Sequence, residues 1–387
     1  MLRLSLFMVV LYSSFAVSAF YLPLYFQFRG LDTQEIGLAM AAGSIASIIG
    51  QPFWGLVSDR NRTIKKVLAL LILLGLAAST PLFMSRTAVL IMAFMMLFMF
   101  FFSSVGPLAD SLVMKYAYEN NRSFGSIRLW GEVGVGISAL LLGLAIERVG
   151  MNYLFFMFAF LIAFALLSMY GLPDAKPHAV PVSKESLKRL ISTRPFLLYL
   201  LFMLFVSVPH RMNDVMMVLF LSELGASESI SGMAWTVATF CAVPAMATVG
   251  ILIRKYGELP LVIVAVFLYA VRWAIYSFAT APLHIVWAQT LHLLTFPIVF
   301  VASVQFVFKI VPDELKSTGQ TLFTSVYFGI GGIIGNAGGG WVMETFGAKT
   351  MYLTGSVLCI LCGLMLLLSY KYLSAQSQAY VQSASSE

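Results

Sequence analysis

Eight ionisable side chains stand in stretches that are otherwise apolar: Asp110, Arg128, Glu132, His210, Arg211, Asp214, Arg272 and His292. Their types and spacing suit proton exchange and the holding of a polar solute. Arg128 and Glu132, in FGSIRLWGEVG (124–134), are one helical turn apart, so guanidinium and carboxylate share a face. Asp110 precedes Arg128 across a short connection and can pair with it. Arg211 and Asp214, in PHRMNDV, are three apart and can pair within one helix. Arg272 and His292 fall at similar depth in consecutive segments. A charge at bilayer depth costs roughly 2.5–3.5 kcal/mol on insertion scales. An isolated ion pair does not repay its own desolvation in full. Eight such groups on five segments therefore point to a water-filled interior pathway. Asp110, Arg128, Glu132 and Arg211 are the candidate substrate ligands, with Trp130 beside Arg128 as a surface on which a ring could stack. Asp214, Arg272 and His292 are the candidate proton-coupling groups.

Hydrolytic and redox chemistry lack the residues they need. His292 has no HExxH partner, no GxSxG motif lies in a span, and no Lys-bearing phosphate loop is present. The glycines of FGIGGIIGNAGGGW (328–341) recur at four-residue spacing, which suits close helix approach. Cys359-x-x-Cys362 is embedded in GSVLCILCGLMLLL, so it reads as packing rather than a metal or redox pair. No cofactor is expected.

The elements that must position these groups are membrane spans. Of 387 residues, 60% are hydrophobic and 11% charged, against about 25% charged in soluble domains. Mean hydropathy is +0.91. Twelve helices are expected, at about 5–28, 36–57, 67–84, 88–115, 124–146, 151–172, 196–221, 230–253, 260–279, 283–309, 319–343 and 349–372. The first reads as a retained helix rather than a cleaved leader. A polar, basic stretch, PDAKPHAVPVSKESLKRLISTRP, falls at mid-chain. It divides the sequence into a six-helix bundle (1–172), a linker (173–195), a second bundle (196–372) and a tail (373–387). Of 24 Lys and Arg, only Arg29, Arg86, Arg148 and Lys349 fall outside the spans on the side away from the N-terminus. That bias places both termini in the cytoplasm. The net charge of +7 is this loop bias and calls for no nucleic acid partner. GLVSDRNRTIKK (55–66) and GILIRKYGELP (250–260) occupy equivalent loops of the two halves, as in a duplicated unit.

Gly55-x-x-x-Asp59-Arg60, followed by Lys65 and Lys66, resembles the loop 2–3 signature of the major facilitator superfamily. The glycine usual after Asp-Arg-x is Arg62 here, and the second-half copy carries Arg254 in place of the acid. PLADSLVMKY, FGSIRLWGEVG, VRWAIYSFAT and TLHLLTFP are similar to stretches of the lactose permease type, and more closely to the phenylpropionate permease branch. The resemblance implies an all-α membrane protein of two six-helix bundles around a central cavity, working by alternating access. It implies substrate binding at Asp110 and Arg128, proton coupling at Arg272 and His292, and a gate at Gly55, Asp59 and Arg60. The lactose-type Lys and carboxylate flanking the histidine are Gln289 and Thr295 here. The expectation is a monomeric, proton-coupled secondary transporter taking up an aromatic carboxylate, with a sugar or nucleoside carrier as the alternative. A receptor that binds without exchange is the reading from another class.

Overall fold

The computed structural model describes residues 2–120, 122–174 and 190–385. Its helices are α1 (Leu2–Phe28), α2 (Thr33–Asn61), α3 (Ile64–Met84), α4 (Ala88–Glu119), α5 (Phe124–Val149), α6 (Met151–Met169), α7 (Arg194–Glu223), α8 (Glu228–Tyr256), α9 (Glu258–Ser277), α10 (Pro282–Ile310) and α12 (Ala348–Ser385). Lys316–Thr324, a π-wound Ser325–Ile330 and Gly331–Phe346 run on as α11. Eleven of these described helices are long and apolar enough to cross a membrane. α11 falls short because its glycines and Asn336 dilute the apolar run. Twelve crossings return the chain to the face it started from. That face is called terminal below, and the opposite one distal.

Local chemistry sets the helix ends. Asp32 and Glu35 form a reciprocal capping box at the start of α2, and the Ser123 hydroxyl caps α5. The tight connections α5–α6 and α11–α12 turn on Gly150 (φ +96°) and Gly347 (φ +82°), where a side chain would be strained. Both sit at equivalent places in the two halves.

Four helices that line the interior are interrupted. α1 has a π turn at Val17–Tyr21, α4 breaks at Ser103–Ser104, α10 tightens to a 3₁₀ turn at Gln289–Leu294, and α11 has its π turn. Irregular backbone at this depth is tolerated where it is buried in protein or faces a wet cavity.

Two helix ends depart from the sequence expectation. α2 continues through Asp59 and Arg60 to Asn61, instead of ending near residue 57. It stops because Arg62 turns left-handed (φ +52°), with its N–H and that of Thr63 returning to Asp59 and Ser58 carbonyls. Residues expected as a tail beyond 372 continue the α12 helix to Ser385. At about 1.5 Å per residue, 38 residues reach well past a bilayer core of ~30 Å. Of the expected linker 173–195, residues 175–189 lie outside the described residues, and α7 begins at Arg194 with Pro195 in its first turn.

Candidate functional site

In the first half, α5 carries Arg128 and Glu132 on the face turned to α1 and α4. Arg128 Nε lies 3.0 Å from Asp110 Oδ1, and its Nη1 lies 3.0 Å from Glu132 Oε1. Tyr12 of α1 donates its hydroxyl to Asp110 at 2.8 Å. The Arg128 guanidinium sits over the Tyr12 ring at 4.2 Å. Gly131 allows this: a side chain there would press on the Tyr12 ring and on Arg128. The three charged side chains keep 24–34% of their surface exposed, so the cluster faces an open space.

In the second half, Arg211 Nη1 bonds Asp214 Oδ2 at 2.6 Å, with His210 Nε2 3.9 Å from the same oxygen. His210 is buried, pairs through Nδ1 with the Tyr269 hydroxyl at 3.0 Å, and stacks on Phe296. His292 lies beyond it, ring centroids 6.4 Å apart, and contacts Arg272 Nη1 through Nδ1 at 3.1 Å. The row from Arg211 through Asp214, His210 and His292 to Arg272 is thus continuous.

Arg272 is only 1% exposed. Its partners are neutral. It donates to Gln289 Oε1, to Thr295 Oγ1 at 3.4 Å and to the Tyr276 hydroxyl at 3.4 Å, with the Trp273 ring 4.9 Å away. Gln289 and Thr295 flank the irregular turn of α10, so the break in that helix places the acceptors a buried guanidinium needs.

Between the halves, the distal ends are packed together. Gly37 of α2 faces Asn336 and Gly340 of α11. Asn336 donates to Ser44 at 3.4 Å. Glu344 of α11 accepts from the Thr33 backbone N–H at 3.0 Å and from its hydroxyl. On the other side of the axis, Gly143 and Ala139 of α5 meet Glu228 and Gly232 of α8, Thr236 donates to the Gly136 carbonyl at 2.7 Å, and Phe20 stacks on Trp235. Towards the terminal face a cavity of about 630 Å³ opens between α2 and α4, lined by Gln51, Gly55, Asp59, Ser111, Lys115 and Glu119 among others. No atom stands within 4 Å of where a Gly55 side chain would begin. Gly331–Phe346 of α11 packs closely on α2, whereas the terminal part, Lys316–Thr324, does not, so the molecule is closed on the distal face and open on the terminal face.

The structure brings Asp110, Arg128 and Glu132 together, and likewise Arg211, Asp214, His292 and Arg272. Trp130 is set apart. It projects about 160° around α5 from Arg128, on the exposed side that also carries Ile137 and Leu141, and is 45% exposed. Gly55 and Asp59 line the open groove, and Arg60 is exposed on the last turn of α2. Sequence reasoning missed Tyr269, Tyr276 and Phe296, which read as ordinary core aromatics, and Thr33 with Glu344, which read as loop-end polar residues. It noted Gln289 and Thr295 only as departures from a pattern.

The family model described as "MFS_1 like family" matches residues 1–354. An uncharacterized transporter, YwbF, of Bacillus subtilis is 30% identical over 85% of this chain and 83% of its own length. The maltose permease of Geobacillus stearothermophilus is 28% identical, over 87% and 86%. A probable 3-phenylpropionic acid transporter of Escherichia coli is 25% identical, over 72% and 74%. Among solved structures, the nucleoside transporter NupG superposes with a TM-score of 0.85 at 15% identity, covering 96% of this chain and 99% of that one.

Proposed function

The chain belongs to the MFS_1-like family of membrane transporters, and from that premise we propose that it carries a small, neutral, hydroxyl-bearing ring solute, a sugar or a nucleoside, coupled to protons. The observation that carries the reading is Arg128 held between two carboxylates. One cation against Asp110 and Glu132 leaves that cluster formally negative. An anionic solute would have to displace a carboxylate already 3.0 Å from the guanidinium. A hydroxyl instead donates to a carboxylate and accepts from the arginine without moving charge. The names of the maltose permease and of the nucleoside transporter agree with this class.

The second reading is an aromatic carboxylate, favoured by the three intramembrane arginines and by the phenylpropionate-named relative. Against it stands the state of those arginines: Arg128 and Arg211 are engaged by acids, and Arg272 is sealed in the bundle. The terminal face is read as cytoplasmic from the Lys and Arg bias, so the state is read as inward-facing; uptake by alternating access, by a monomer, is part of the proposal. Asp214 is the proposed proton carrier. It lies between Arg211 and His210.

Counterflow in proteoliposomes with labelled disaccharides, nucleosides and arylpropionates tests the substrate. Currents on a supported membrane test it independently. With one proton per cycle a neutral solute carries net positive charge, whereas a monocarboxylate carries none. Arylpropionate exchange without current would overturn the neutral-solute reading. Substrate binding without any exchange would overturn transport itself.

A further inference from the structure

α2 and α11 lie side by side and run in opposite directions, so the C-terminal end of each faces the N-terminal end of the other. Each carries an acid near its C-terminal end, Asp59 on α2 and Glu344 on α11. At the distal face, Glu344 accepts from the Thr33 backbone N–H at 3.0 Å and from the Thr33 hydroxyl. Thr33 is the first residue of α2, and its N–H belongs to the set that has no partner within its own helix. The α2 capping box of Asp32 and Glu35 serves the Glu35 and Asp32 N–H groups and leaves that of Thr33 to the other half of the molecule. Around this bond the packing is backbone on backbone, Gly340 against Thr33, Gln34 and Gly37. At the terminal face the counterpart is apart: the first stretch of α11, Lys316–Thr324, is not closely packed on α2, and the N-cap position of α11 is Leu315, whose side chain cannot accept a hydrogen bond.

We infer that Glu344 is the distal latch of the transport cycle. It caps α2 when the distal face is closed and releases it when that face opens, while Asp59 and α11 do the reverse at the terminal face. The two acids then act as a reciprocal pair, each holding the state in which the other is free. A carboxylate at a helix N-terminus is a weak bond that a small change can break, which suits a contact made and broken once per cycle. Glu344 is exposed, so breaking the bond returns the carboxylate to water rather than to an apolar interior.

The latch is tested by spin-label distances at two mouths, with Cys241, Cys359 and Cys362 replaced. Labels at Asn152 and Lys349 report the distal mouth; labels at Asn61 and Lys255 report the terminal one. Glu344→Gln keeps the shape and removes the charge, and should raise the ratio of distal-open to distal-closed molecules about fivefold. Thr33→Val, which removes only the hydroxyl donor, should move it the same way by less, and Thr33→Ser should restore it. Asp59→Asn should shift the ratio oppositely, and the double variant should return towards the starting distribution. A merely structural role for Glu344 would lower thermal stability and leave the distance populations unmoved, and that result overturns the proposal. So does a shift of Glu344→Gln in the same direction as Asp59→Asn.

Discussion

Adding a single methyl group at Gly340 should drive the molecule into its distal-open state. A Cβ built there would stand 2.5 Å from the Thr33 carbonyl oxygen and 3.0 Å from the Gly37 Cα. Both neighbours are backbone of α2, so no flexible side chain can swing aside, and the helices must separate. Overpacking of this kind costs about 1–3 kcal/mol. That cost falls only on the state in which α2 and α11 touch, so it converts to a change in the closed-to-open ratio of roughly 5- to 150-fold. Ser44 is 8% exposed beneath this contact, beside Asn336, and provides the assay. A cysteine at Ser44 should react with an impermeant maleimide added from the distal side at a rate set by the distal-open population. Gly340→Ala should raise that rate within the range above. Gly37→Ala, which meets Asn336 and Gly340, should do the same. Gly55→Leu should lower it, because Gly55 is free of neighbours here and bulk there would obstruct only closure of the terminal face. An alkylation rate unchanged by both Gly340→Ala and Gly37→Ala would refute the reasoning, since it would mean that the glycine contact persists throughout the cycle.

Other consequences concern the charged groups. Arg128→Ala should abolish uptake with the protein still inserted, and Arg128→Lys should fall below about a tenth of wild-type uptake, because an ammonium cannot serve Asp110 and Glu132 in one planar fork; normal uptake in both would make the cluster a packing feature. Asp214→Asn should lose uphill accumulation and retain solute exchange, measured as counterflow against a pH gradient; accumulation that persists would move the proton carrier to Glu132 or Asp110. Gln289→Leu should lower the melting temperature by the equivalent of about 1.5–3 kcal/mol, since it removes an acceptor from a buried guanidinium, whereas Gln289→Glu should not; equal losses would mean that Arg272 does not depend on that oxygen. Arg62→Gly should stabilise the fold by about 1 kcal/mol, the left-handed penalty less the greater freedom of glycine in the unfolded chain, and a lower melting temperature would show that the Arg62 side chain holds something in place.

The sequence carries the membrane fold through its period of apolar runs, because the bilayer imposes one requirement on every residue at a given depth. The interruptions of α4 and α10 are less visible. Ser103–Ser104 and Gln289–Leu294 are ordinary within an apolar helix, and what loosens them is the chain beside them. Pro107 and Pro297 lie a few residues on, yet Pro209 and Pro244 sit inside unbroken helices. Proline alone therefore does not mark where a span gives way. Trp130 shows the same limit of linear reasoning. It is two residues from Arg128, and two residues along a helix point to nearly opposite sides.

Paired charges are legible when the partners share a helix, as Arg128 with Glu132 and Arg211 with Asp214 do, because spacing alone fixes their approach. Asp110 joins them because a short connection makes α4 and α5 neighbours. Arg272 has no carboxylate three or four residues away in its helix, and a search for opposite charge passes over Gln289 and Thr295, the residues that hold it. Read as losses from a proton-coupling pattern, they are instead the hydrogen-bond acceptors that let a buried guanidinium stay where it is without an acid. A carboxylate at either position would bind Arg272 directly. With neutral partners there, the carboxylate of this half nearest in the row of side chains is Asp214, one histidine pair away. That distance leaves Asp214 bonded to one arginine, Arg211, with His210 3.9 Å from the same oxygen, so a single proton arriving at Asp214 would free one arginine rather than two, and Arg211, the more exposed of the two, is the one it frees.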